Sequence, residues 1–261
     1  MSNPNPPPLP KLAFKVVIPA RYASSRLPAK ALLDLGGKPM VIRVAENAQK
    51  SGAEEILIAT DHPAILEAAT RHGYEAILTD EKHASGTDRI AEVAIGKGWG
   101  ADTLVVNAQG DEPLLPPEMI YAAANALAKS GADMATLAHP LHEAADFFNP
   151  NIVKVVCNRL GDALYFSRAP IPYARDAFRE NPEILPPMLP ALRHIGLYAY
   201  RVSFLNSYSQ LAKSPLEEFE SLEQLRALWH GYRIHVLQTD NPLPPGVDTP
   251  EEAERMQQRF A

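Results

Sequence analysis

The chain has 261 residues, 46% of them hydrophobic and 21% charged, with a formal net charge of −6 at pH 7. That length can bury a large core, and the acidic balance argues against general affinity for nucleic acid, which needs a basic surface. The single cysteine, Cys157, excludes an internal disulfide and suits a reducing cytoplasm, and no run is long and apolar enough to cross a membrane.

The proline-rich opening, residues 1–13, lacks the apolar core of a secretion signal and reads as a disordered tail; a single domain, 14–261, is expected to follow. Short apolar runs then alternate with helix-period segments, the pattern of βα units around a mainly parallel sheet with helices on both sides. Strands are predicted at 16–19, 56–59, 75–78 and 103–107. The helices between and after them are predicted at 40–51, from Asp61 as cap to about 71, from 88 to about 94, and at 117–129. Strands at 134–138 and 153–156 come next, the second paired in hairpin fashion with 163–166. Cys157 lies in this apolar stretch and reads as an inert buried thiol. Residues 169–190 are proline-rich, aromatic and too irregular for core. They read as an arm over the site or toward a second subunit, within a dimerisation and sugar-binding lobe at about 160–200. A strand at 194–201, helices at 203–211 and 216–229, a strand at 234–237 and a helix at 251–260 complete the chain.

The chemistry concentrates just past the strand ends. Arg21, Arg26 and Lys30 follow the first strand in a loop stiffened by Pro19 and Pro28. Three cations beyond a strand's carboxyl end form a socket for a polyanion, and a triphosphate fits best. The P-loop pattern is absent; Gly36-Gly37-Lys38-Pro39 reads as a turn opening the next helix. Asn107-Ala108-Gln109-Gly110-Asp111-Glu112-Pro113 ends another strand. Gly110 permits a sharp turn, so Asp111 is either a magnesium anchor opposite the cations or a cap for the next helix, the metal role being favoured. Glu112 reads as a surface residue. Asp248, before Thr249-Pro250, is equally a second oxygen ligand or the cap of the closing helix. Ser85-Gly86-Thr87-Asp88-Arg89 suits close approach to a ligand at a helix start and is by itself a capping box.

Taken together and in this order, these motifs are specific. With Phe148-Asn149-Pro150-Asn151, Tyr165-Phe166-Ser167-Arg168, the strand from Arg193 through Tyr198 and Leu222-Glu223-Gln224-Leu225-Arg226, the chain resembles the CMP-Kdo synthetases from about residue 14 to 259. These are cytidylyltransferases that activate 3-deoxy-D-manno-octulosonate (Kdo) for lipopolysaccharide assembly. The resemblance implies a nucleotide-diphospho-sugar transferase-like α/β/α fold and a cytoplasmic homodimer using CTP, an acidic sugar and Mg2+. It implies that Ala20, Arg21, Arg26, Lys30, Ser85, Arg89, Ala108 and Gln109 border the nucleotide. Arg21, Lys30 and Asp111 would be catalytic, and Asp111 and Asp248 would hold the metal. Arg168, His194, Tyr198, Glu223 and Gln224 would face the sugar acid, Arg168 pairing its carboxylate. Two positions depart from the pattern: Asp88 where many relatives carry Glu, and Ala29 where Gly is common.

Overall fold

The computed structural model describes residues 11–23, 27–83, 85–240 and 242–261. The described strands are β1 (Lys15–Ala20), β2 (Glu55–Thr60), β3 (Glu75–Leu78), β4 (Leu104–Asn107), β5 (Met134–Pro140), β6 (Lys154–Cys157), β7 (Ala163–Ser167), β8 (Leu192–Arg201) and β9 (Ile234–Gln238). They form one sheet in the order β3-β2-β1-β4-β8-β5-β9, with β6 and β7 a hairpin attached through β8. The first four strands run parallel, β8 lies antiparallel between β4 and β5, and β9 runs parallel to β5. This is the mainly parallel mixed α/β sheet that the sequence predicts.

Side chains alternate along each strand and feed two apolar layers. Val16, Ile18, Val106, Leu197 and Ala199 pack with α1 (Met40–Gln49), α2 (Pro63–Arg71) and α4 (Pro117–Ser130). Val17, Leu57, Val105 and Tyr200 pack on the other face with α3 (Gly86–Gly96), α7 (Val202–Tyr208) and α9 (Gln224–Trp229). A third cluster joins Leu35, Met40 and Val247 to α10 (Pro250–Phe260). Leu12 packs on the first layer, two residues ahead of the expected start of the domain; residues 1–10 lie outside those described. No helix among the described residues is long and apolar enough to cross a membrane.

Three expectations change. His62, not Asp61, caps α2: its Nδ1 accepts from the Ala64 amide at 3.1 Å. The helix predicted at 216–229 is two, α8 (Pro215–Glu220) and α9, broken where Ser221 adopts φ 52. Periodicity missed this because Leu222 and Leu225 continue the apolar phase across the break. Residues 169–190 do build a core: Phe178, in α6 (Arg175–Glu180), is buried with Leu141, Phe147, Ile152 and Ala191. Phe147 sits in the short α5 (Ala144–Phe148), another helix the sequence reading missed. Burying one such ring contributes about 1.5–3 kcal/mol toward ordering the segment.

Candidate active site

The chain leaves β1 toward β2 and β3, and returns to β4 on β1's other side. The loops beyond β1 and β4 therefore open side by side, at the point where ligands enter such sheets. The ladder continues one residue past β4, the Ala108 amide donating to the Val17 carbonyl at 3.1 Å. Gly110 then passes so close that a Cβ there would stand 2.8 Å from the Pro19 carbonyl oxygen. Only glycine permits that approach, and it brings Asp111 over the β1 loop.

Lys30 occupies that meeting point. Its Nζ donates to Asp111 Oδ2 at 2.6 Å and to Asp248 Oδ1 at 2.8 Å. The loop holding it is closed by the Ala29 amide donating to the Tyr22 carbonyl at 3.1 Å, with Ala29 itself left-handed at φ 54. Asp248 arrives from the other end of the chain, where the Val247 amide donates to the Asp111 carbonyl at 2.9 Å. Thr249 caps α10 in a closed box with Glu252, and Pro116 stands at the N-cap of α4. Neither aspartate is therefore a helix cap, and both converge on one cation. Burial pulls the Lys30 ammonium down, but Asp111 and Asp248 outweigh it and hold its pKa above the ordinary lysine value.

Beside this cluster lies a cavity of about 340 Å³, lined among others by Gly86, Thr87, Asn107 and Gln109 from the β1–β4 side. His194, Gly196, Tyr198 and Tyr200 line it from β8, whose period of two sends them all to one face. The break at Ser221 adds Leu222, Glu223 and Gln224. Burial lowers the His194 pKa to about 3, so the imidazole is neutral near pH 7. Its Nε2 lies 3.0 Å from Thr136 Oγ1, and that hydroxyl also lies 2.9 Å from the carbonyl oxygens of Ile195 and Leu197. The single hydroxyl proton goes to a carbonyl, so Nε2 carries the imidazole proton and Nδ1 is left as an acceptor. Burial and the nearby Asp88 raise the Glu223 pKa, while Arg226 and Arg21 oppose them. The exposed Arg21 is thus close enough for its charge to be felt at the cavity.

The sequence profile of the cytidylyltransferases matches residues 15–234. The chain belongs to the cytidylyltransferase family. A solved CMP:2-keto-3-deoxy-manno-octonic acid synthetase, complexed with CTP, superposes with a TM-score of 0.85 at 42% identity, covering 96% of this chain and 98% of the other. That likeness bears out the resemblance to the CMP-Kdo synthetases. A cytidylyltransferase from Leptospira borgpetersenii (TM-score 0.58, 14% identity, covering 94% of this chain and 84% of the other) shares the fold. So does a nucleotidyl transferase from Methanothermobacter thermautotroptrophicus (TM-score 0.57, 16% identity, covering 95% and 97%).

Within this cytidylyltransferase the structure brings Lys30, Asp111 and Asp248 into contact, and gathers Gln109, His194, Tyr198, Glu223 and Gln224 around one cavity. Arg26 lies outside the described residues. Four other residues singled out in the sequence already have partners within the protein. Arg89 is fully buried, its Nη1 bonded to Thr79 and its Nη2 3.3 Å from Asp61 Oδ2. Asp61 Oδ1 in turn accepts from the Tyr22 amide at 2.9 Å, so Arg89 braces the cationic loop from behind. The Ser85 hydroxyl is engaged in the capping box with Asp88, which closes fully despite the shorter carboxylate. Ala108 is buried, its amide consumed by the sheet. Arg168 is not among the residues lining the cavity: Nε donates to the Glu220 carbonyl at 2.7 Å and Nη1 to the Pro150 carbonyl at 3.1 Å.

Glu112 is a clear correction. It is half-buried rather than a plain surface residue: Gly246 passes close to its side chain, Oε2 is buried without a partner among the described residues, and burial followed by repulsion from Asp111 and Asp248 raises its pKa to about 8. The reading passed over Tyr200 and Tyr208, which line the cavity together with Thr87. Thr87 stands inside a motif already singled out; Tyr208 carries no sequence signal of its own.

Proposed function

We propose that this cytidylyltransferase transfers CMP from CTP to Kdo, releasing pyrophosphate and supplying CMP-Kdo for lipopolysaccharide synthesis in the cytoplasm. The observation that carries the reading is Lys30 set between Asp111 and Asp248, with a cavity of about 340 Å³ lined by Gln109 close by. The anomeric hydroxyl oxygen of the sugar forms a bond to the α-phosphorus, the bond to pyrophosphate breaks in line, and the hydroxyl proton is released to solvent. In such transfers positioning and charge neutralisation supply most of the catalysis. Lys30 and Arg21 offset charge on the α-phosphoryl and the departing pyrophosphate. Gln224, Glu223, Tyr198 and the acceptor Nδ1 of His194 orient the sugar. Arg168, anchored to the Glu220 and Pro150 carbonyls through Nε and Nη1, would pair the sugar carboxylate with its remaining donors.

Magnesium, which the family implies, suits the two aspartates, since they already converge on the Lys30 ammonium as a stand-in cation at 2.6 and 2.8 Å. When bound, it would neutralise phosphate oxygens and make the phosphorus more electrophilic. A homodimer is also part of the proposal. Tyr173, Ile184 and Met188 expose apolar side chains beside the Phe178 cluster, as a covered face would. Sedimentation at micromolar concentration tests it; a monomer throughout would remove it.

The decisive assay is pyrophosphate release with Mg2+ across CTP and UTP, each with Kdo, 8-amino-Kdo and a sialic acid. CTP with Kdo should give the highest kcat/KM. Preference for another sugar would reassign the acceptor, and CTP binding without turnover of any sugar would leave a silent nucleotide-binding module.

A further inference from the structure

Tyr208 ends α7 with its ring buried and its hydroxyl without a hydrogen-bond partner among the described residues. Buried polar atoms are overwhelmingly partnered, so an orphan that also lines a cavity marks a place where a ligand completes the bond. The hydroxyl of Tyr198, another lining residue, is orphaned in the same way. The two tyrosines sit at opposite ends of an aromatic row, Tyr198, Tyr200, Phe204 and Tyr208, with successive ring centroids 5.9, 6.0 and 5.6 Å apart. Tyr200 differs from both, since its hydroxyl lies 3.3 Å from Thr87 Oγ1.

The Tyr208 ring is held with some care. The Arg226 guanidinium lies 4.6 Å from its centroid, and Arg226 is itself fixed by two bonds to buried Glu217, at 2.8 and 2.5 Å. A buried fork on a buried carboxylate leaves the guanidinium little freedom, so the ring has little too. Burial, with Glu223 as the nearest named anion, raises the phenol pKa, and the hydroxyl remains a donor.

We propose that Tyr208 is a specificity-determining residue of the acceptor pocket, its hydroxyl bonding one hydroxyl of the polyhydroxylated sugar acid. This rests on the cavity being the acceptor site. A pocket built to bond a hydroxyl rejects the analogue lacking it, because its own polar group is left unpaired in the closed site. Tyr208 thereby reads the hydroxyl pattern of the sugar, while Arg168 reads its carboxylate.

The test compares wild type with Tyr208→Phe, which preserves the ring and its Arg226 contact, across Kdo and its mono-deoxy analogues. Expected for the variant are a roughly tenfold rise in KM for Kdo, a kcat within about threefold, an unchanged KM for CTP, and a melting temperature near that of wild type. One deoxy analogue should lose about tenfold in kcat/KM with wild type and almost nothing further with the variant. Unchanged KM for Kdo, or every analogue discriminated equally by both enzymes, overturns the inference, and a water-filled contact would give that result. Direct titration of Kdo onto each protein in the presence of a non-hydrolysable CTP analogue keeps the comparison valid if turnover is impaired for other reasons. Failure of wild type itself to use Kdo with CTP would instead overturn the functional reading.

Discussion

Replacing Lys30 with methionine should make the nucleotide-free protein bind a divalent cation more tightly, although it removes a residue that the proposed reaction uses. In the present structure the ammonium sits 2.6 Å from Asp111 and 2.8 Å from Asp248, so an incoming ion must compete with it for both carboxylates. Two unit charges 4 Å apart near a protein surface attract by about 4 kcal/mol. The side chains of Asp111 and Asp248 retain 32% and 52% exposure, however, and solvent screening cuts the contribution to about 1 kcal/mol. Removing the competitor should therefore tighten binding of Mn2+, used as the spectroscopic probe, by roughly fivefold. Free-ion EPR during titration reads this without catalysis. Turnover should meanwhile fall by about a hundredfold or more, because phosphate charge loses its fixed counterion. If Lys30→Met binds Mn2+ no better than wild type, the two aspartates are not a shared cation site and the catalytic arrangement argued above fails.

Other consequences can be checked separately. His194 is neutral in the fold with a pKa of about 3, against about 6.5 when unfolded. The unfolded chain alone takes up the proton below pH 6.5, so stability present above that value is lost as pH falls. Between pH 7.5 and 5 urea unfolding should show a loss of about 2 kcal/mol that His194→Gln removes; an equal slope in the variant would refute the assignment. Ala29, left-handed at φ 54, should prefer glycine. Relief of about 1–2 kcal/mol of backbone strain, less the entropy glycine loses on folding, predicts a melting temperature for Ala29→Gly higher by about 2 °C. Gly110→Ala would place a Cβ 2.8 Å from the Pro19 carbonyl oxygen and push Asp111 off the β1 loop. It should cost at least tenfold in kcat while leaving the far-ultraviolet circular dichroism unchanged, and near-normal kcat would show that the turn has slack.

The parts of the site legible in the sequence are those whose chemistry is local. A strand that empties into cations, and a glycine before an aspartate at a second strand end, announce themselves as loop chemistry. The burial of Arg89 is not legible because its spacing from Ser85 is right for a ligand-facing helix turn, and nothing in the chain says that Asp61 and Thr79 would enclose it. Glu112 reads as an ordinary charged residue next to proline; only the close passage of Gly246, far along the chain, shows otherwise. The break at Ser221 was hidden by an apolar phase that continues through it, and with it went the reason Glu223 and Gln224 reach the cavity. Long-range closure, not local propensity, decided each of these.

Asp111 and Asp248 stand 137 residues apart in sequence (248 minus 111), yet they grip the same lysine. The later one is held in place by α10, whose Ala253 and Met256 pack against Leu35 and Met40 near the start of the domain. In chain order all the described strands of the sheet precede that helix, β9 ending at Gln238 and α10 beginning at Pro250. A cut in the proline-rich stretch 242–245 would therefore sever the covalent tether of Asp248 while leaving every described strand of the sheet on one fragment.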